Sequence, residues 1–204
     1  ILKTSANAES FNTYNRRLEA GYHPQLARNT LQLNRGDLRF SDIGYLAGVF
    51  ATDWSWSPLF ADLDNDGLKD LFITNGIYRR PNDLDYISYI GNDAVQQSLA
   101  EGISEKNINL LQQMPRVPLP NYAYHNNGSL TFTNMAASWG LAQPGFSNGA
   151  AYVDLNNTGE LDLVVNNINA PASIYRNHAR DMNGNSYLTV VLHGSGANTA
   201  GIGT

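Results

Sequence analysis

Asp62-Leu63-Asp64-Asn65-Asp66-Gly67-Leu68-Lys69-Asp70, followed at once by Leu71-Phe72-Ile73-Thr74, is the stretch on which the fold turns. Carboxylates stand at positions 1, 3, 5 and 9 of the loop, with a glycine at position 6. Four like charges this close repel, and a bound cation offsets the repulsion. Hard oxygen donors at alternating positions suit Ca2+, which takes roughly 6–8 oxygens, better than Mg2+, which demands a tighter octahedron and keeps its waters. The predicted ligands are Asp62, Asp64, Asp66, the Leu68 carbonyl at position 7, and Asp70. Gly67 permits the sharp turn around the ion. Position 12 is Ile73, not the bidentate Glu of a helix–loop–helix calcium site. The loop therefore joins two strands.

Sliding the chain by 92 residues superposes a second such loop, Asp154-Leu155-Asn156-Asn157-Thr158-Gly159-Glu160-Leu161-Asp162, and gives 14 identities over residues 29–75 without a gap. The matches include Asn34, Gly36, Leu38 and Phe40 with Asn126, Gly128, Leu130 and Phe132, and Asn75 with Asn167. The second loop keeps Asp154 and Asp162 but carries Asn156 and Thr158 between them, with the Glu160 carbonyl at position 7. Fewer anionic donors predict weaker binding. A plain Asx-turn, closed by side-chain to backbone hydrogen bonds, is the competing reading and fits this loop better than the first. Ile174-Tyr175-Arg176-Asn177 begins a third copy, matching Ala123-Tyr124-His125-Asn126 and Leu31-Gln32-Leu33-Asn34.

Each unit reads as strand, Asn/Gly turn, strand, loop, strand, acidic loop, strand. Leu71–Thr74 and Leu163-Val164-Val165 are continuous apolar runs, the pattern of strands buried on both faces. The fold class predicted is all-β, built as blades of a propeller or another radial array. Each blade exposes faces that only its neighbours cover, so two and a half units are expected to need the remaining blades of a larger parent chain, or other subunits. The chain starts at Ile1 without a basic-then-apolar leader, and a fragment or processed product is the expectation.

Composition narrows the function classes. The net charge is −5, and 13 Lys+Arg spread thinly supply no basic stripe for nucleic acid. No apolar run reaches the ~20 residues that span a bilayer. With no cysteine there are no disulfides, thiolate metal sites or cysteine nucleophile. The 25 Asn against 3 Lys suit a turn-rich β protein.

Residues 79–120 differ in character and read as a helical insertion between the units. A helix is predicted over Asp93–Met114, with Ser104 as an N-cap, Ile103 and Ile108 as a hydrophobic staple, an apolar stripe of Ile108, Leu111 and Met114, and Pro115 as its stop. The insertion is either a packing element, the preferred reading, or a ledge for a partner. Tyr78, Arg79 and Arg80 open a mixed polar–aromatic loop of the interaction type, a weak candidate ligand contact. Trp54 aligns with Phe146 and is expected in the core; Trp56 aligns with Asn148 and is freer to be exposed and to stack on a sugar.

The stretch Phe146–Leu163, with its acidic loop and flanking strands, resembles an FG-GAP (VCBS-type) repeat, and Trp56 through Leu71 resembles it equally. Such repeats build Ca2+-binding β-propellers of integrin α chains and of many bacterial surface proteins. Asn185–Leu192 with Gly194, Asn198 and Gly201-Ile202-Gly203 is similar to the opening of an ASPIC/UnbV domain, which follows FG-GAP repeats in cartilage-acidic-protein-like chains, and the resemblance implies that its first strand or two is present. Leu110–Pro115 is similar to the insertion of large Bacteroidota members of that group. The resemblance implies an exported or cell-surface protein, in some cases one tied to outer-membrane nutrient uptake. It divides the chain into a lead-in (1–25), a first repeat (26–78), the helical insertion (79–120), a second repeat running into the next blade (121–180), and the start of the further domain (185–204).

An enzyme reading finds little support. His23, His125, His178 and His193 sit in no catalytic motif, there is no Gly-x-Ser-x-Gly elbow, and nothing pairs Asp53, Asp83, Asp85 or Asp93 for glycoside cleavage. His125 falls where the other copies have Leu33 and Arg176, which reads as a variable structural position. The expectation is a noncatalytic calcium-binding propeller segment that contacts a protein or glycan, with a carbohydrate-binding or carbohydrate-active propeller as the alternative.

Overall fold

The computed structural model describes residues 11–24, 27–100 and 105–203. A short helix α1 (Phe11–Glu19) precedes β1 (Gln32–Asn34), β2 (Phe40–Asp42) and α2 (Gly44–Ala47). Then come β3 (Ser55–Ala61) and β4 (Asp70–Asn75), joined by the first acidic loop. Three helices follow, α3 (Leu84–Ile90), α4 (Asp93–Ala100) and α5 (Glu105–Gln112). The chain continues through β5 (Tyr122–Asn126), β6 (Phe132–Asn134), β7 (Ser147–Val153), β8 (Asp162–Asn167), β9 (Ser173–Tyr175) and α6 (Ala179–Asn183). The described strands make three antiparallel sheets, in orders β1-β2, β3-β4-β5-β6 and β7-β8-β9. These are blades of the expected kind, and the helices are minor.

The sequence repeat and the sheets are out of phase. A unit such as 26–78 holds the β1–β2 hairpin of one sheet and the β3–β4 hairpin of the next. One complete blade is β3-β4-β5-β6, and the helical insertion leaves it between β4 and β5, adjacent strands of one sheet, rather than lying between blades. Strand pairing is non-local, so the repeat's period is legible in sequence while its starting point is not.

All six residues of β4 are buried, as its apolar run predicts. One face, Leu71 and Ile73 with Tyr124 of β5, packs on Ile43, Ala47 and Val49 from the β1–β2 side. The opposite face, Phe72 with Ala123, meets Leu163 and Val165 of β8, with Ala136 and Leu141 closing the gap. Alternation along the strand thus glues the middle blade to both neighbours. Among the described residues the far side of the third sheet has no such cover: Ile174 is 67% exposed and Leu155 55%.

Two expectations change and one is met on both sides of residues that are not described. The predicted helix over 93–114 corresponds to α4, which begins where Asn92 accepts from Ala94 N–H, and to α5, which stops at Gln112, with residues 101–104 outside the described ones. Ser104 and Ile103 lie outside the described residues. Ile108 and Leu111 are exposed, so their stripe is not what holds the insertion. Its buried contacts are Tyr86, whose hydroxyl donates to the Leu110 carbonyl, and Arg80. Residues 185–203 carry no strand; Leu188, Val190 and Val191 are exposed, and no described strand pairs with them. An extended segment without a ladder partner leaves its backbone groups to water.

Candidate metal centre

The two acidic loops share one backbone frame. In the first, Asp62 accepts from the N–H of Asp66 at 3.0 Å and of Gly67 at 3.0 Å. In the second, Asp154 accepts from Thr158 at 3.0 Å and Gly159 at 2.7 Å. Asn65 and Asn157 take left-handed backbone at φ 56° and 55°, and Gly67 and Gly159 follow at 91° and 77°. Asn tolerates this region and glycine has no Cβ to object, which is why these types recur.

The ninth-position aspartates do structural work. Asp70 is fully buried and accepts from Leu63 N–H at 3.0 Å and from Asn126 N–H on β5 at 2.9 Å. Asp162 repeats this with Leu155 at 3.2 Å and Asn177 at 2.8 Å. Asp70 ties its loop to the end of β5, and Asp162 ties its own to the residues just beyond β9. A carboxylate oxygen has a second lone pair, so each remains able to ligate.

Asp62, Asp64 and Asp66 offer ligand oxygens that all lie within 4.8 Å of one another. Asp64 Oδ1 accepts from Asp66 N–H at 3.2 Å and Asp66 Oδ1 from Leu68 N–H at 2.7 Å, leaving one oxygen of each pointing free of the backbone. Desolvation, and then the Asp66 charge, push the Asp64 carboxyl above its ordinary range. Burial raises Asp70 to about 6 against the pull of the Asn126 and Leu63 N–H groups. Burial thus disfavours the charged form of both carboxyls beside the point where Asp62, Asp64 and Asp66 converge.

The second loop is more self-contained. The Thr158 hydroxyl donates to Asn156 Oδ1 at 2.7 Å. The buried Glu160 accepts from Arg180 N–H at 2.8 Å, and the Arg180 guanidinium donates to the Thr158 carbonyl at 2.9 Å. Asp154 is held below its ordinary range, chiefly by the Gly159 N–H. Hydrogen bonds answer most of this loop's polar groups.

The loops also touch each other. Asn65 Nδ2 donates to the Gly159 carbonyl at 3.3 Å, Asn177 Nδ2 to the Leu63 carbonyl at 2.6 Å, and Asn183 Nδ2 to the Asp64 carbonyl. Ordering the first loop thereby bears on the joint between two blades.

Sequence reasoning missed His125. Far from being a variable bystander, its Nδ1 is 3.1 Å from Asp64 Oδ2 and 3.4 Å from Asp70 Oδ1. The repeat alignment located the position on the strand beside the loop, and asking which side chain faces Asp70 there would have found it.

The proposed ligand contacts fall elsewhere. Arg80, expected on an open loop, is fully buried and paired with Asp53, with Nη1 3.1 Å from Oδ1; a charge in that setting is retained by its partner. Arg79 Nη1 donates to the Leu111 and Gln112 carbonyls at 2.8 Å each, capping α5. Tyr78 stands edge-on to Phe146 with ring centroids 5.3 Å apart, under the Arg116 guanidinium at 4.6 Å. All three residues fasten the root of the insertion. Trp54 is half-buried, while Trp56 is 48% exposed and donates Nε1–H to the Gly76 carbonyl at 2.8 Å.

Comparison with known proteins agrees with this architecture. Residues 20–73 match the model of the FG-GAP-like repeat family, a span that takes in the first acidic loop and most of β4. Cartilage acidic protein 1 of Mus musculus and that of Homo sapiens are each 40% identical over 57 residues, or 28% of this chain. The match spans 9% of the length of those relatives. No described helix is long and apolar enough to cross a membrane.

Proposed function

We propose that this chain is a calcium-stabilised, noncatalytic β-propeller segment of an exported or cell-surface protein, whose blades present a surface to a protein or glycan. The observation that carries this is the convergence of Asp62, Asp64 and Asp66 in a loop that also hydrogen-bonds the neighbouring blade. An all-oxygen donor set fits a hard divalent cation. Asp62, Asp64, Asp66, the Leu68 carbonyl and Asp70 would hold it, and the ion would neutralise the loop. Asp154, Asn156, Thr158, the Glu160 carbonyl and Asp162 are a second, weaker set. Free Ca2+ at the concentrations such sites need is found outside the cytosol, which supports export. The apolar face bearing Ile174 and Leu155 is the seat for a further blade.

The test is a thermal melt of the whole chain with millimolar Ca2+ and with chelator. Calcium is expected to raise Tm by several degrees, and Asp64→Ala to remove most of that rise. Equal melting curves in the two buffers would refute the calcium reading.

A second reading, a carbohydrate-binding or carbohydrate-active propeller tied to glycan uptake, is favoured by the exposure of Trp56 with Trp54 beside it, ring centroids 6.5 Å apart. Glycan-array binding that disappears in Trp56→Ala supports it; an array blank for the unmutated chain dismisses it.

A further inference from the structure

The all-oxygen reading of the first loop leaves His125 unused. Its Nδ1 is buried and within ion-pair distance of Asp64 Oδ2 and Asp70 Oδ1, yet it is aligned for a hydrogen bond with neither. A proton on that nitrogen has no aligned acceptor, and a lone pair there faces two carboxylates. Either state leaves a buried polar group unsatisfied, which is costly and calls for a partner. A divalent cation seated between the three answers all of them, since one ligand atom from each lies within 4.8 Å of the others.

The three groups are also held in place by further contacts. Asp70 is fixed by the N–H groups of Leu63 and Asn126, and Asp64 by that of Asp66. The His125 ring stands edge-on to Trp139, centroids 6.2 Å apart at 79°. Such supporting contacts are what orient the ligands of a metal site. Mixed imidazole and carboxylate donors suit zinc, cobalt or manganese, whereas Ca2+ and Mg2+ prefer oxygen alone. The next blade supplies an internal contrast. There the aligned residue is Arg176, which cannot ligate, and Asn156 and Thr158 replace the two inner acids and bond to each other.

We propose that Asp64, Asp70 and His125 form a cation position for a divalent ion of the zinc, cobalt and manganese class, beside the convergence of Asp62, Asp64 and Asp66 and sharing Asp64 and Asp70 with the calcium ligand set. This goes beyond the calcium reading and does not depend on it. The test uses the whole chain stripped of metal and titrated with Co2+, then Zn2+. Co2+ is expected to give visible absorption bands that Zn2+ abolishes. His125→Leu, the residue that stands at the aligned position 33, is expected to lose the bands and to weaken Zn2+ binding by at least ~10-fold, the scale on which even outer contacts of metal sites act. Its calcium-dependent melting shift should persist. In the unmutated protein, Zn2+ should displace the Nδ1 resonance of the His125 imidazole in a 15N spectrum, which keeps the test valid if the variant does not fold. Equal Co2+ and Zn2+ binding in the two proteins, or an unmoved His125 resonance, overturns the proposal. A missing calcium shift with the Co2+ bands intact refutes the calcium reading alone.

Discussion

Asp70 shows how one side chain serves several purposes. It closes the loop onto β4, ties β4 to β5 through Asn126, and belongs to the proposed cation sites. Its folded value of about 6 lies above the ordinary 3.8 because burial outweighs its two backbone donors. A group whose proton is held more tightly in the folded state stabilises the fold fully below its unfolded value, and that contribution disappears as the pH rises through the folded one. Asp64, raised by desolvation, acts in the same direction. In chelator, Tm is therefore expected to fall between pH 5 and pH 7, and saturating calcium should cancel the fall by neutralising the same carboxylates. Asp154 and Asp42 have the opposite sign. Backbone N–H groups depress both, led by Gly159 for the first and Gly44 for the second. Their contribution is present above 3.8 and is lost as the pH drops through the depressed values. A melting temperature in chelator that is flat or rising from pH 5 to pH 7 would contradict the account of Asp70.

At the level of elements, the insertion is secured at its root. Arg80 brings its guanidinium to Asp53, just ahead of β3, while its own N–H donates to the Pro115 carbonyl at the far end of the insertion at 3.1 Å. One residue thus joins both ends of the excursion to the sheet. The Asp53 side chain is 20% exposed, but removing its charge strands that of the fully buried Arg80, at a cost of about 3–5 kcal/mol. Asp53 itself adopts left-handed backbone at φ 78°, where Asn is tolerated. Asp53→Asn is therefore expected to keep the turn, lose the pair, and destabilise the chain by an amount in that range in urea unfolding. Protease should then cut preferentially between residues 84 and 112. A loss under ~1 kcal/mol with unchanged cleavage would mean that the pair is not what pins the insertion.

Across the whole molecule, blades are joined in two ways. The apolar layer of Phe72, Ala123, Leu163 and Val165 excludes water between the second and third sheets. Polar ladders then fix how the blades meet. At one end the loops exchange bonds through Asn65, Asn177 and Asn183. At the other, Asn75 N–H donates to Asn121 Oδ1 at 3.0 Å, Asn121 Nδ2 to Ser147 Oγ at 3.1 Å, and Ser147 to Asn167 Oδ1 at 2.8 Å. Burial is non-directional, whereas each hydrogen bond has one geometry, so the ladders give register to a contact that the core only makes favourable. The asparagine-rich composition finds its use here. Because the loop ladder shares a backbone with the first acidic loop, the proposed calcium effect on melting would belong to the inter-blade joint as much as to the loop itself.

The acidic loops, the repeat and the buried character of β4 were legible in the residues alone. A turn demands Asn and Gly at fixed offsets, and a strand buried on both faces demands an unbroken apolar run; both are local requirements written in consecutive positions. The 92-residue identity of Asn65 with Asn157 and Gly67 with Gly159 survives as matching backbone angles for the same reason. Tertiary structure alone decided the rest. Which hairpins share a sheet depends on pairing between distant strands, so the blade begins in mid-repeat. Arg80 reads as a surface cation until Asp53 closes on it. His125 gains its neighbours only when β5 pairs with β4, across an excursion that sets Asn126 and Asp70 56 residues apart in the chain. Local chemistry names the turns and strands, while contacts between remote segments assign each side chain its neighbours, and with them its charge state and its use.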